Sequence, residues 1–313
     1  MKSKLFIFFC LIILNFGCSQ SSKSQGSFTA QVPLEKQITY ALQLNMRLPF
    51  ELYINDIKAS YNYVGTNVGV DLNPYLLGNG KCKIRIKIFP AFKAGKTEIP
   101  LDDLENSTVL FGKYIMDKEK NDIHSYNIND FTKLDYKLPN KPVASFEQEW
   151  EVDIKELPYE LEGWSKGQDL RKFDKKVLEQ KVVSYYKNLW NILNDGNSEK
   201  YQQLWKYADQ DLIKYNYESV NTYEKAEINN ENDIKKCKNM MIPFEDYEMK
   251  IYADGKLITL ERKTNTKDFN NESPLDIKSW SPLIRKYKIS GGASYSVKLY
   301  LPEGSDDFVI IRK

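Results

Sequence analysis

The hydrophobic period of this chain changes twice, and that change limits its fold more than any other feature. From Leu34 onward apolar residues recur at every second position. Phe50, Leu52 and Ile54 alternate with Glu51 and Tyr53; after Asn55-Asp56, Ile57, Ala59, Tyr61 and Tyr63 alternate with Lys58, Ser60 and Asn62. Alternation on both sides of a two-residue polar turn predicts a β-hairpin. Ile84, Ile86 and Ile88 then alternate with Lys83, Arg85 and Lys87 as far as Pro90, a strand with one apolar and one basic face. Residues 108–116, 123–128 and 145–154 read as further strands. Short strands separated by Gly, Asn and Pro turns predict an antiparallel β-sandwich over residues 34–165.

Beyond a Gly- and charge-containing break at residues 163–169 the period becomes helical. Leu178, Val182, Tyr185, Leu189 and Ile192 share one stripe, and Val183, Tyr186, Trp190 and Leu193 widen it, so this helix is expected to be buried around much of its circumference. Asp174 is its expected N-cap, and Asn194-Asp195-Gly196 its end. Tyr201, Leu204, Trp205 and Ala208 form a second, narrower stripe after Asn197-Ser198, and a third helix is placed near residues 231–240. The tail returns to period two. Tyr247, Met249 and Ile251 lead into Asp254-Gly255 and out through residues 257–261, while Tyr295, Val297, Leu299 and Leu301 turn at residues 302–307 and come back through residues 308–311. The expected class is α+β, with an N-terminal antiparallel β-sandwich followed by a domain of helices and then a curved sheet at residues 173–313. At 42% hydrophobic residues the chain can fill two cores, which excludes wholesale disorder. A faint echo of residues 51–57, 73–76 and 83–90 in residues 248–260, 281–284 and 296–302 leaves a duplicated sandwich with inserted helices as the alternative architecture.

The first residues carry an address. Lys2 and Lys4 precede an unbroken apolar run at residues 5–14, followed by Asn15-Phe16-Gly17-Cys18. Ten residues rise about 15 Å as a helix, half the roughly 30 Å hydrocarbon core of a bilayer, so the run fits the apolar segment of an export signal. A small residue before a cysteine that closes this segment resembles bacterial lipoprotein precursors. The resemblance implies a signal peptide at residues 1–17, a Cys18 that is diacylated through its thiol and becomes the mature N-terminus, and a polar tether at residues 18–33. It also implies a bacterial cell envelope location, on the periplasmic face or the cell surface, with the membrane as a partner through the lipid anchor. An ordinary secretory signal cleaved nearby is the alternative. Of 45 basic and 43 acidic residues, loss of Lys2 and Lys4 with the leader brings the two signs into balance. No general attraction to nucleic acid is therefore expected.

Residues that carry chemistry are few. Cys82 and Cys237, the cysteines beyond Cys18, make no disulfide framework and are expected as buried free thiols. His124 is the one histidine; it falls in a polar stretch read as the turn of a hairpin, where an imidazole is normally solvated. Serine or cysteine triads would rest on that residue alone, and phosphate-cradling glycine motifs are absent. No catalytic residue, metal or cofactor is therefore assigned. Lys81, Lys83, Arg85 and Lys87 share one side of a strand at a repeat of about 6.8 Å. They form a ladder that either holds an anionic polymer or headgroup, or is the solvated face of a sheet.

Two further stretches resemble known folds. Glu51-Leu52-Tyr53-Ile54-Asn55-Asp56-Ile57-Lys58, Val70-Asp71-Leu72-Asn73-Pro74-Tyr75-Leu76-Leu77 and Gly80-Lys81-Cys82-Lys83-Ile84-Arg85-Ile86-Lys87-Ile88 resemble a run typical of galactose-binding-like jelly rolls, which implies fold and not hydrolysis. The helix bearing Val182-Val183-Ser184-Tyr185-Tyr186-Lys187-Asn188-Leu189-Trp190, followed by a second helix and a sheet, resembles the nuclear-transport-factor-2-like superfamily, whose sheets wrap helices into a cone. Tyr186, Trp190 and Trp205 read as core of such a unit, and Trp150 and Trp164 as core or interface anchors. The functional expectation is a lipid-anchored, non-catalytic binding module with a protein or glycan partner, including an immunity or inhibitor role. Tyrosine-rich, charge-balanced composition suits protein contact. The alternative is an enzyme acting on a small or glycan substrate through carboxylates and tyrosines in the C-terminal cone.

Overall fold

Alternating sequence in the first half folds, as the period requires, into two facing antiparallel sheets. The computed structural model describes residues 32–264, 266–267, 275–289 and 291–312, so the leader, Cys18 and nearly all of the tether lie outside the described residues. Strands β1 (Ile38–Met46), β2 (Phe50–Ile54), β3 (Ile57–Asn62), β4 (Thr66–Asp71) and β5 (Gly80–Ile88) precede the short helix α1 (Leu101–Glu105). Then come β6 (Thr108–Asp117), β7 (Asp122–Ser125), β8 (Thr132–Lys133) and β9 (Phe146–Ile154). One sheet runs β4-β1-β6-β7 with β8 also on β6; the other runs β3-β2-β5-β9. Leu42, Leu44, Phe50, Leu52, Ile84 and Ile86 of the inner faces meet in one core. The expected hairpin is β2-β3, its turn made by Asn55 and Asp56 at φ 48° and 60°, the left-handed pair that a two-residue hairpin turn demands.

Helices α2 (Lys175–Asn194), α3 (Ser198–Tyr215) and α4 (Val220–Lys235) follow, then β10 (Tyr247–Tyr252) and β11 (Leu257–Arg262). The short strands β12 (Thr266–Lys267) and β13 (Leu275–Asp276) pair with each other, as do β14 (Ile284–Lys286) and β15 (Gly292–Ser294), before β16 (Lys298–Tyr300) and β17 (Val309–Arg312) close the chain's second large sheet in the order β10-β11-β16-β17. The fold is α+β. Helices beside a single four-stranded sheet replace the second sandwich of the duplicated alternative. Asp174 caps α2 by accepting from Val177 N at 2.9 Å, and Gly196, at φ 65°, ends it. Leu178, Val182, Tyr186, Leu189 and Ile192 of α2 pack with Trp205 of α3 and with Ile258, Leu260 and Leu299 of the sheet in a second core.

Two local expectations are corrected, and the end of the second helix, which its stripe left open, is fixed. The third helix spans Val220–Lys235 rather than residues 231–240. Ser219 opens it through a capping box with Thr222, and Ile234 is its fully buried residue, so there is no apolar stripe to announce it. The second helix runs on past Ala208 to Tyr215. His124 stands in β7, exposed, because Asn121 at φ 53° completes the turn one residue before that strand begins.

The two cores are sealed by a third cluster in which Tyr53 and Ile57 of the sandwich pack against Trp164, Tyr252, Leu257 and Tyr300. The main C-terminal sheet therefore has helices on one face and the sandwich on the other. Every residue of Leu257–Arg262 is buried. Polar bonds join the halves as well. Asn73, 2% exposed, accepts from Tyr40 N at 3.1 Å and donates to Ile38 O at 3.0 Å and to Tyr215 O of α3 at 3.2 Å. Asn73→Ala strands Tyr40 N and Tyr215 O, while Ile38 O keeps the Tyr217 hydroxyl at 2.7 Å; a loss of about 1–3 kcal/mol per unsatisfied group is expected in urea denaturation, and a shift in midpoint too small to resolve would show that the two groups find other partners.

Candidate functional site

Two hairpin tips, one from each half, meet end to end beside a polar concave surface. Asn55-Asp56 joins β2 to β3, and the four residues 253–256, with Ala253 and Asp254 at φ 52° and 51°, join β10 to β11. Asp56 O accepts from Ala253 N at 3.2 Å, and its carboxylate accepts from Asp254 N at 3.2 Å. Asn55 ties the first tip to β5: its Nδ2 donates to Tyr75 O at 3.1 Å and its Oδ1 accepts from Lys83 N at 3.0 Å. Beside the meeting point lies a cleft of about 470 Å³, lined by residues of both halves including Tyr75, Leu77, Lys83, Glu149, Trp164 and Asp254. Two smaller cavities of about 340 Å³ lie over Tyr40 and Lys113 on the sandwich and beside Val32 and Tyr217.

The basic ladder of β5 forms one wall of this cleft, and it is not a free cationic strip. Strand β9 pairs with β5 so that Lys81, Lys83, Arg85 and Lys87 stand opposite Asp153, Glu151, Glu149 and Glu147. Lys81 reaches Asp153 at 2.8 Å and Glu151 at 3.3 Å, Arg85 reaches Asp56 at 2.9 Å and Glu147 at 3.3 Å, and Lys87 reaches Glu147 at 3.4 Å. Arg85 also lies over the Tyr53 ring at 4.1 Å. Anionic polymers thus meet an acidic row interleaved with the basic one. Among the described residues, the Lys83 ammonium and the Glu149 and Asp254 carboxylates have no ion-pair or hydrogen-bond partner.

Deeper in the seam sits a polar cluster that no local pattern announced. Lys58 of β3 donates to Glu261 of β11 at 2.6 Å, with both side chains 9% exposed, and lies 3.7 Å from Glu51. Tyr252 donates to the other Glu261 oxygen at 2.6 Å, while Tyr53 and Tyr63 donate to Glu51 at 2.7 and 3.1 Å. Burial pushes the Glu51 carboxyl up, but Lys58, the two tyrosine hydroxyls and Lys278 outweigh it and hold the group below its ordinary value. At the far end of the seam Arg312, 4% exposed, donates to Pro74 O at 2.9 Å and to Asp211 at 3.0 Å, between the rings of Trp164 and Tyr215.

Trp164 is an interface anchor in the third cluster. Trp150 packs on the sandwich core and donates to Asp135 O at 2.8 Å. Tyr186 is fully buried, its hydroxyl donating to Val297 O at 2.9 Å and accepting from Leu260 N at 3.1 Å. Trp205 lies in the same core, and half-buried Trp190 donates to Ile242 O at 2.7 Å. Cys82 and Cys237 are both free and buried; burial pushes the Cys82 thiol up to about 12. Among the described residues no group of His, Cys, Asp and Glu is placed to hold a metal ion, and no helix is long and apolar enough to cross a membrane. Cys18 lies outside the described residues. Comparison with protein-family models, with curated proteins and with solved structures yields no match.

Proposed function

We propose that the protein is a non-catalytic binding module of the bacterial cell envelope, held to a membrane by lipid on Cys18, which takes a glycan or protein partner in the cleft between its halves. The observation that carries this reading is the cleft itself: hydrogen-bonded hairpin tips fix its floor, and among the described residues three charged side chains on its wall have no ion-pair or hydrogen-bond partner. All three are exposed, and they are mounted on paired strands and a docked turn that fix where their backbones stand, the kind of pre-set geometry on which recognition depends. Interleaved signs on the wall disfavour nucleic acid or another polyanion as the partner.

The test uses a leaderless form carrying Cys18→Ser, incubated with polysaccharide and with protein fractions of envelope extracts. Retention of a partner is expected to fall by roughly tenfold or more, about 1.4 kcal/mol, in the double variant Lys83→Ala/Glu149→Ala. If the parent form retains nothing, or the double variant retains as much as the parent, the reading fails.

A further inference from the structure

The polar groups around the cleft divide into those already engaged and those that are not, and the second set defines what a ligand must bring. Lys81, Arg85 and Asp56 are committed to ion pairs. Asn55 is bonded to Tyr75 O and Lys83 N, and Asn79 both donates to and accepts from Leu157. Tyr75 donates to Ala59 O at 3.2 Å. Among the described residues that line the cleft, what remains is the Trp164 indole N–H and one cation, Lys83, against two carboxylates, Glu149 and Asp254. A ligand that satisfies them offers donors to the carboxylates, and a positive charge is favoured.

The backbone narrows the choice further. Asn55 N donates to Lys83 O at 2.9 Å, Lys83 N is held by Asn55, and Leu77 O accepts from Leu161 N at 2.7 Å. An extended peptide draws much of its affinity from main-chain bonds to the receptor, and these main-chain groups of the cleft floor are already paired. A glycan needs no such bonds, because its hydroxyl and amino groups engage side chains directly. The cleft volume falls in the range of about 300–1,000 Å³ usual for small-ligand sites.

We propose that the cleft binds a short glycan segment bearing free amino groups, the ammonium groups facing Glu149 and Asp254 and a ring oxygen or hydroxyl facing Lys83. This rests on the reading of the cleft as the partner site and adds the ligand's chemistry to it. The test is calorimetric titration of the leaderless Cys18→Ser form at low salt with a glucosamine tetramer, its fully N-acetylated counterpart and maltotetraose. The amino form is expected to bind roughly tenfold tighter than the acetylated one, the worth of one or two charge-assisted bonds, and this margin is expected to shrink as salt is added. Glu149→Gln/Asp254→Asn is expected to reduce the margin to about twofold or less with unchanged melting temperature, since neither carboxylate holds the fold and Asn tolerates the left-handed backbone at position 254.

Equal or tighter binding of the acetylated tetramer overturns the amino preference while leaving the cleft a glycan site. A margin that survives in the double variant moves the site elsewhere. Tetralysine binding as tightly as the glucosamine tetramer, with the same sensitivity to the variant, replaces the glycan with a basic peptide. Absence of binding by every probe overturns the proposal outright.

Discussion

Lys58→Met is expected to lower the stability of the protein by about 3–5 kcal/mol, the usual loss when one partner of a buried ion pair is removed. The ammonium lies between Glu51 and Glu261, bonded to the second and 3.7 Å from the first. Methionine fills similar volume but leaves two carboxylates sharing a nearly closed seam. Urea denaturation checks it: the midpoint should fall with the slope unchanged, and adding Glu261→Gln to the variant should recover part of the loss, since the residual cost is repulsion and desolvation of that carboxylate. A loss under about 1 kcal/mol would place the pair with exposed surface bridges. The acid limb of stability follows from the same cluster. Glu51 has a folded-state pKa held below its ordinary value, so its contribution is complete above the unfolded pKa of about 4.3. That contribution is lost as pH falls through the depressed folded value, because the unfolded chain then binds more protons. Removing Lys58 should make this acid-side dependence shallower.

Cys18→Ser is expected to release the protein from membranes completely. One acyl chain gives marginal, reversible attachment and two or more give stable anchoring, so under the anchor proposed for Cys18 loss of its sulfur removes the attachment as a whole. Labelled palmitate should enter the parent protein and not the variant, and after cell fractionation the variant should leave the membrane pellet for the soluble fraction. Equal labelling of the two would sink the assignment of the anchor. Since the cleft lies beyond the tether, the Cys18→Ser form should keep the parent's affinity for any cleft ligand.

How much could be read in advance depended on how local the cause was. The β2-β3 and β10-β11 hairpins were legible because Asn55-Asp56 and Asp254-Gly255 interrupt clean alternation, although the second turn places its left-handed residues at Ala253 and Asp254 and carries Gly255 at φ 92° behind them. Helix α2 was legible from its stripe and its Asp174 cap. Helix α4 was not: its cap was present in Ser219 and Thr222, but a helix with so little buried surface leaves no periodicity to find. In the candidate site, the ladder on β5 stood out as a basic row, while its acidic counterpart on β9 lies some 66 residues away and pairs with it only through sheet register. Lys58 and Glu261 are 203 residues apart, and each alone looked like an ordinary solvated strand residue. Sequence periodicity reports which face of an element is apolar, and is silent on which two elements will share a seam.

The double-sided covering of Leu257–Arg262 has a consequence for how this chain can vary. A sheet wet on one side can survive the loss of its neighbour, whereas this one needs both the helices and the sandwich to keep water from its strands. The two halves therefore share a single fate: neither is a detachable part that could be exchanged or trimmed away, and a recognition surface placed where they join exists only when both are whole.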